Sequence, residues 1–264
     1  ADVAVIVAGL YRRFDQEGAD RPDMQLPPGQ ADLIQAVLAA NPHTIVILTG
    51  GGPVDMSGWI ERTPALIQYW YGGSEGGAAL ARILFGDVSP SGKLPCTFPK
   101  HLEDSPAYAL HAYPGRTDEK YAEGLLVGYR WFDTKNIAPL FPFGFGLSYT
   151  TFSYANLRIT PGDAPGHLTV SADITNTGHR PGAEAAQLYI HDGHAALPRP
   201  EKELKAFAKP MLRPGETKTV TFSLTPAAFS YYDPATQTWT ADPGNFTILV
   251  GPSSRDIRLQ TDYQ

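Results

Sequence analysis

Apolar residues follow two spacings in the first part of the chain. Three short runs are largely apolar and indicate buried strands: residues 3–8, 44–48 and 65–71. Two segments carry apolar residues at helical spacing: 30–40, through Leu33, Ile34, Val37 and Leu38, and 74–85. Because alternating strands and helices are typical of a parallel sheet covered by helices, we predict a partial α/β sandwich over residues 1–110.

The pattern changes in the second half of the chain. From about residue 90 the periodicity fades into glycine, proline and aromatic residues, and we assign residues 111–150 as a connector. Short alternating strands separated by turns then follow: 168–175, 185–191, 202–208, 218–224 and 246–250. Alternation at this spacing predicts an all-β, antiparallel sandwich over residues 151–264.

Composition narrows the possible partners. The formal net charge is −6 with scattered signs, which argues against nucleic acid or an anionic membrane and favours a neutral or small ligand. No apolar run approaches the roughly 18–20 residues that cross a bilayer. The single cysteine, Cys96, rules out an internal disulfide and any multi-thiolate metal site, and we interpret it as a small core residue. The histidines show no metal-ligand spacing, so we expect no metal and no cofactor.

A short acidic loop, residues 14–21, follows the first strand, and open α/β sheets hold ligands at the carboxyl ends of their strands. Glu17 is its candidate general acid, which must stay protonated near neutral pH through burial or a second carboxylate nearby. The neighbouring charges act in both directions, so a solvated loop charge is the competing interpretation. Asp15 is the alternative proton donor, and Asp20 and Arg21 are interpreted as loop-ordering residues.

A glycine run, Gly50-Gly51-Gly52, ends the second strand and allows the backbone to approach another group closely. It lacks the lysine and hydroxyl of a phosphate loop and the G-x-G-x-x-G spacing. Nucleotide binding is therefore disfavoured. A ligand loop and a tight turn remain as alternatives.

Several motifs, in order, resemble one family along the entire chain. They include Glu17-Gly18-x-Asp20-Arg21, Gly51-Gly52-Pro53-Val54-Asp55-Met56, Trp70-Tyr71-Gly72-Gly73, Tyr121-x-Glu123-Gly124, Phe141-Pro142-Phe143-Gly144, Asn176-Thr177-Gly178 and Lys202-Glu203-Leu204-Lys205. Together they resemble the C-terminal α/β domain of the family 3 glycoside hydrolases, the β-glucosidases and β-xylosidases. The tail resembles the fibronectin type III-like module that ends many of these enzymes.

The resemblance implies a retaining, exo-acting β-glycosidase that removes terminal non-reducing β-linked glucose or xylose. By motif, its general acid/base falls on Glu17. The family's nucleophile is an aspartate on a (β/α)8 barrel, which we expect upstream or on a separate chain. Retaining carboxylates lie about 5–5.5 Å apart, so barrel and chain must dock closely, and the connector is expected to pack on the barrel. Without the barrel we expect no activity.

The same resemblance suggests residues for the substrate, a β-linked oligosaccharide or glycoside. Tyr11, Phe14 and Trp59 are candidates for stacking on sugar, with core packing weighed equally for each. Asp55 and Met56 follow the glycine run and are candidates for the cleft. We expect a secreted or periplasmic enzyme, in which an export signal either lies upstream of residue 1 or does not exist. The competing class is a non-catalytic chain that binds carbohydrate or a protein partner.

Overall fold

A computed structural model describes residues 1–113, 118 and 120–264. The chain divides into two compact units. The first comprises Ala1–Leu80 and Phe98–Glu123, and the second comprises Ala81–Thr97 and Gly124–Gln264. In the predicted connector, the described residues up to 123 therefore group with the first unit and those from 124 with the second. Residues 114–117 and 119 of the connector lie outside the described part.

The first unit is built on a three-stranded parallel sheet of order β1-β2-β3, in which β1 is Ala4–Gly9, β2 is Thr44–Thr49 and β3 is Ala65–Gln68. Ala4 pairs with Thr44, and the register continues to Gly9 and Thr49. The helices are α1 (Gln30–Ala40), α2 (Gly76–Leu84), on which the boundary between the units falls, and the short α3 (Pro106–Ala109). Two 3₁₀ turns cover Ile60–Arg62 and Leu102–Asp104. The predicted parallel α/β arrangement is confirmed.

Burial explains why these segments form this unit. In β2 both faces are largely covered, and Val46, Ile47 and Leu48 are almost completely buried. From α1 the core receives Ile34 and Leu38, which lie one turn apart on the same face. The helical stripe is narrower than predicted, because Leu33 is mostly exposed.

The third strand is shorter than the apolar run that predicted it. Extended pairing with β2 ends at Gln68, opposite Leu48. Trp70 then takes a positive φ of 59°, which breaks the extended conformation. The chain therefore leaves the sheet before Tyr71, and Tyr71 lies in the loop after β3 instead of in the strand.

The second unit contains eleven strands: β4 (Phe152–Pro161), β5 (Leu168–Asn176), β6 (Gly182–Ala183), β7 (Ala186–Asp192), β8 (Glu203–Ala208), β9 (Met211–Leu212), β10 (Thr217–Leu224), β11 (Tyr231–Asp233), β12 (Thr238–Thr240), β13 (Phe246–Gly251) and β14 (Leu259–Tyr263). A 3₁₀ turn covers Pro226–Ala228. The larger sheets have the orders β10-β5-β4 and β14-β13-β7-β8, and all their pairings are antiparallel.

Alternate residues of these strands form one core. Val170, Ala172 and Ile174 of β5 are fully buried, as are Ile248 and Val250 of β13. A period of two along a strand puts such residues on one face of the sheet. The antiparallel sandwich is therefore confirmed. In addition to the predicted strands it contains β4, β14, the short β6-β9 pair and the β11-β12 hairpin.

The end of the connector is tied to this sandwich through α4 (Tyr129–Thr134). Asp133 pairs with Lys202 at 2.8 Å. Arg255 donates to the carbonyl oxygens of Phe132, at 2.9 Å, and Ile137, at 3.0 Å. The Phe132 carbonyl lies in the last turn of α4 and also accepts from the backbone N–H of Ile137 at 2.8 Å, so Arg255 adds a second, charged donor to it.

Candidate functional site

Three loops meet at the carboxyl edge of the parallel sheet. The first follows β1 and contains residues 10–21, the second follows β2 and contains the glycine run, and the third follows β3 and contains Tyr71. At the end of β1, Gly9 has a φ of 138°, and a Cβ there would lie 1.9 Å from the carbonyl oxygen of Thr49. Only glycine fits this approach of two strand ends.

One carboxylate joins the three loops. Oδ2 of Asp15, in the first loop, accepts a hydrogen bond from the backbone N–H of Gly51 at 2.8 Å. The same oxygen accepts a hydrogen bond from the hydroxyl of Tyr71 at 2.6 Å. We call Asp15, Gly51 and Tyr71 the clamp. The backbone of the glycine run thus binds a carboxylate of the same chain, that of Asp15.

The electrostatics of the clamp are consistent with these roles as acceptor and donor. The hydrogen bond from Tyr71, together with that from Gly51 and the charge of Arg21, outweighs partial burial and lowers the pKa of Asp15. Burial and the neighbouring Asp15 raise the pKa of Tyr71 to about 12. Near neutral pH, Asp15 is therefore an ionised acceptor and Tyr71 a protonated donor.

Arg21 holds the other end of the acidic loop. Its Nη1 donates to the carbonyl oxygen of Pro53 at 3.2 Å, so it reaches the same β2 loop as Asp15 does. The hydroxyl of Tyr113 donates to the carbonyl oxygen of Arg21. Burial raises the pKa of Tyr113, and the negative charge of the exposed Asp20 raises it further.

Glu17 lies between these two anchors, at the tip of a tight turn. A single antiparallel bridge joins Gln16 and Ala19 and closes the turn around Glu17 and Gly18. Gly18 has a φ of 76°, a conformation that favours glycine at the third position of a turn. The carboxylate-bearing residue is exposed, which leaves it accessible to a group outside the chain.

The proposed aromatic ligands separate into two groups. Tyr11 and Phe14 lie on the same loop as Glu17, with ring centroids 4.9 Å apart and planes at 73°. Tyr11 is 51% exposed and Phe14 is half-buried. Trp59 is only 2% exposed and belongs to the core of the unit. The structure therefore brings two of the three rings to the Glu17 loop.

Asp55 and Met56 follow the β2 loop. Oδ1 of Asp55 accepts from the N–H of Ser57 at 2.9 Å, and Oδ2 accepts from Nε2 of Gln25 at 2.9 Å. Burial raises the pKa of Asp55, but the hydrogen bonds from Ser57 and Gln25 outweigh it, and the net shift is downward. Met56 is 1% exposed and packs in the core.

Sequence reasoning left the glycine run with Gly51 as either a ligand loop or a tight turn, and gave no site role to Tyr71 of the clamp. The available signal was topological, because residues that follow neighbouring parallel strands meet at one edge of the sheet. Gln30 was also missed: its side chain bonds to the backbone of Gly9, the last residue of β1 before the loop of residues 10–21. No local pattern in the sequence marks that contact.

Among residues 1–113, 118 and 120–264 no group of three or more His, Cys, Asp or Glu side chains is arranged to hold a metal ion. No helix in those ranges is long and apolar enough to span a membrane.

Cys96 is partly buried, and this burial raises the pKa of its thiol, which disfavours the reactive thiolate.

Comparison with known proteins agrees with this arrangement. Residues 1–149 match the glycosyl hydrolase family 3 C-terminal domain. Residues 184–254 match the fibronectin type III-like domain. These two matches, one to the α/β part and one to the sandwich, identify the class of the chain as glycoside hydrolase, over the region described as the C-terminal domain.

Relatives and solved structures narrow the class to one family. Thermostable β-glucosidase B of Acetivibrio thermocellus is 46% identical over 263 residues, which cover 98% of this chain and 34% of that protein. β-Glucosidase BoGH3A of Bacteroides ovatus is 44% identical over 271 residues, which cover 100% of this chain and 36% of that protein. The GH3 β-glucosidase structure from Bifidobacterium adolescentis superimposes with a TM-score of 0.94 at 38% identity. The match covers 99% of this chain and 39% of that one.

The chain belongs to glycosyl hydrolase family 3. A β-glucosidase from Kluyveromyces marxianus, solved in complex with glucose, is similar over 98% of this chain and 31% of that one, with a TM-score of 0.92 and 38% identity. The chain thus spans about a third of the length of the relatives that it matches.

Proposed function

We propose that this chain supplies Glu17 as the general acid/base of a retaining β-glucosidase. The observation that carries the proposal is the exposed turn with Glu17 at its tip, held at the carboxyl edge of a parallel sheet by Asp15 and Arg21. Its relatives are named β-glucosidases, which supports glucose as the sugar removed. Terminal β-linked xylose is the second sugar to be tested.

The clamp favours Glu17 over Asp15 as the proton donor. A general acid must hold a proton near neutral pH, whereas the hydrogen bonds from Tyr71 and Gly51 lower the pKa of Asp15. Oδ2 of Asp15 is already occupied by those two donors. Glu17, two residues later, is exposed at the tip of its turn.

The proposal requires a partner segment. Retaining hydrolysis needs a second carboxylate about 5–5.5 Å from the acid/base. We place it as an aspartate on a (β/α)8 barrel, upstream or on a separate chain, and expect residues 111–150 to pack on that barrel. Two facts support this: the chain spans about a third of its relatives, and the matched domain is described as C-terminal. The chain alone is then expected to be inactive.

Tyr11 and Phe14 are the residues best placed to contact a sugar ring, because they share the Glu17 loop and Tyr11 is half exposed. Asp55 is a weaker candidate, since Ser57 and Gln25 already bond both of its oxygens. Burial favours packing for Trp59 and Met56, which would shape the loops from beneath.

The test is Glu17→Gln in the protein assembled with its barrel. The value of kcat/KM for an alkyl β-glucoside, a poor leaving group, should fall by about 10²–10⁴-fold. The value for 2,4-dinitrophenyl β-glucoside should change far less, because that leaving group needs no proton. Glu61→Gln, at an exposed glutamate in the 3₁₀ turn, is the matched control. Equal behaviour of the two variants on the alkyl glucoside would refute the assignment.

A further inference from the structure

We propose that Asp15 and Tyr71 are positioning residues, which hold the turn bearing Glu17 in place for proton transfer. Gly51 contributes through its backbone N–H. The inference rests on the proposed function of Glu17. It deepens that proposal by naming residues that act through Glu17 without touching the reacting atoms.

The acidic loop is anchored at both ends to the same neighbour. At its start, Asp15 accepts from Gly51, and at its end Arg21 donates to Pro53 at 3.2 Å. Gly51 and Pro53 belong to the one loop that follows β2. Tyr71 adds a tie from the loop after β3, so the start of the acidic loop is fixed to both other strand ends.

The turn itself offers little further support. Gln16 and Ala19 share one bridge, and Gln16, Glu17, Gly18 and Ala19 are all exposed. A Cβ built on Gly18 would have no heavy atom of residues 1–113, 118 or 120–264 within 4 Å, so none of these described residues packs against the turn there. Within the described part of the chain, the two anchors are therefore the main contacts that determine the position of Glu17.

The clamp is also chemically suited to hold a loop. An ionised carboxylate that accepts two hydrogen bonds makes charge-assisted contacts, which are shorter and stronger than neutral ones. The Tyr71 hydroxyl to Asp15 distance of 2.6 Å lies in that range. Proton transfer is sensitive to small errors of placement, and a shift of about 1 Å can cost about 10²-fold in rate.

The experiment compares Tyr71→Phe with Tyr69→Phe in the protein assembled with its barrel. Both changes remove one hydroxyl from the loop after β3 and keep the ring, but only the hydroxyl of Tyr71 bonds to Asp15. For Tyr71→Phe, kcat/KM on an alkyl β-glucoside should fall by about 10- to 100-fold. Its kcat/KM on the dinitrophenyl β-glucoside, and that of Tyr69→Phe on both substrates, should stay close to wild type.

A double variant separates this inference from the function on which it rests. If Asp15 and Tyr71 act through Glu17, Tyr71→Phe should cost nothing further on the alkyl glucoside once Glu17→Gln is present. If Glu17→Gln has no effect, the proposed function fails. If Glu17→Gln is impaired but Tyr71→Phe matches Tyr69→Phe, the positioning role fails. An equal loss by Tyr71→Phe on both substrates also overturns it, since a general structural defect would produce that result.

Asp15→Asn provides the second arm. The amide retains one acceptor oxygen but loses the charge, so the leaving-group-dependent loss should equal or exceed that of Tyr71→Phe. A wild-type rate on the alkyl glucoside would overturn the role of Asp15. A larger loss than that of Glu17→Gln would make Asp15 the proton donor and would overturn both proposals together.

Discussion

Gln30 and Gly9 are joined by two hydrogen bonds between one side chain and one residue's backbone. Oε1 of Gln30 accepts from the N–H of Gly9 at 2.7 Å, and Nε2 donates to the carbonyl oxygen of Gly9 at 3.2 Å. Gly9 is the last residue of β1 and Gln30 the first of α1. The pair therefore fixes the point at which β1 ends and the loop of residues 10–21, which carries Glu17, begins.

Gln30→Leu should destabilise the first unit. The change preserves approximate side-chain size but leaves a partly buried N–H and a partly buried C=O without their partners. Such groups cost about 1–3 kcal/mol in the free energy of unfolding, which urea denaturation measures. Gln35→Leu, on the same helix, is the control and should cost less. Equal losses would show that the bonds to Gly9 contribute nothing specific.

Gly51→Ala and Gly52→Ala form a matched pair on the clamp. A Cβ at Gly51 would lie 2.9 Å from Oδ2 of Asp15, so the carboxylate would have to move. At Gly52 the nearest atom would be Nη1 of Arg21, at an ordinary contact distance of 3.8 Å. We expect Gly51→Ala to lose about 1–3 kcal/mol of stability and Gly52→Ala to lose little. Thermal unfolding of both variants decides, and similar values would contradict the close approach.

The contrast between neighbours such as Gly51 and Gly52 shows where sequence reasoning stops. Apolar runs and helical spacing were enough to predict the sheet, α1 and the sandwich, because they depend on local periodicity. The contacts of Asp15 are not local: Gly51 lies 36 residues away and Tyr71 lies 56 away. They follow from strand order and register, which place distant loop residues side by side.

Local pattern also misjudged the end of β3 and the buried face of α1, each for a physical reason. The apolar run 65–71 continues past the end of β3, but the backbone turns at Trp70, where φ is 59°. Leu33 has helical spacing but lies outside the stripe that α1 buries. Hydrophobicity predicts that a side chain prefers burial, whereas the path of the backbone decides whether that side chain becomes buried.

The clamp should make stability depend on pH in the acid range. The folded-state pKa of Asp15 is below its ordinary value of 3.8. A lowered carboxyl pKa stabilises the folded state above 3.8, and this contribution is lost as the pH falls through the folded value. Wild type should therefore exceed Tyr71→Phe in stability near neutral pH, because the phenol is the leading cause of the lowered pKa.

The measurement is urea unfolding of both proteins at a series of pH values. The difference between them should be constant near neutral pH and should shrink as the pH falls below 3.8. Tyr69→Phe, which leaves Asp15 and its partners intact, should follow the wild-type pH dependence. A difference that grows on acidification would have the wrong sign for a stabilised carboxylate.

Asn176, in the Asn-Thr-Gly turn of the second unit, should be among its most sensitive positions. It is 0% exposed, and all four of its hydrogen-bonding positions are used. Oδ1 accepts from the hydroxyl of Thr150 at 2.6 Å and the N–H of Gly178 at 3.0 Å. Nδ2 donates to the carbonyl oxygens of Arg180 at 2.8 Å and Leu212 at 3.1 Å.

Asn176→Ala removes all four bonds and leaves four polar groups to find new partners in a buried turn. We expect a loss of about 2–4 kcal/mol in the free energy of unfolding. Asn176→Asp should be no better, because it keeps the acceptor but loses both donors and introduces a charge that must be desolvated. Asn245→Ala, at an exposed asparagine in the same unit, is the control. If Asn176→Ala unfolds at the same urea concentration as Asn245→Ala, the buried network does not hold this turn in place.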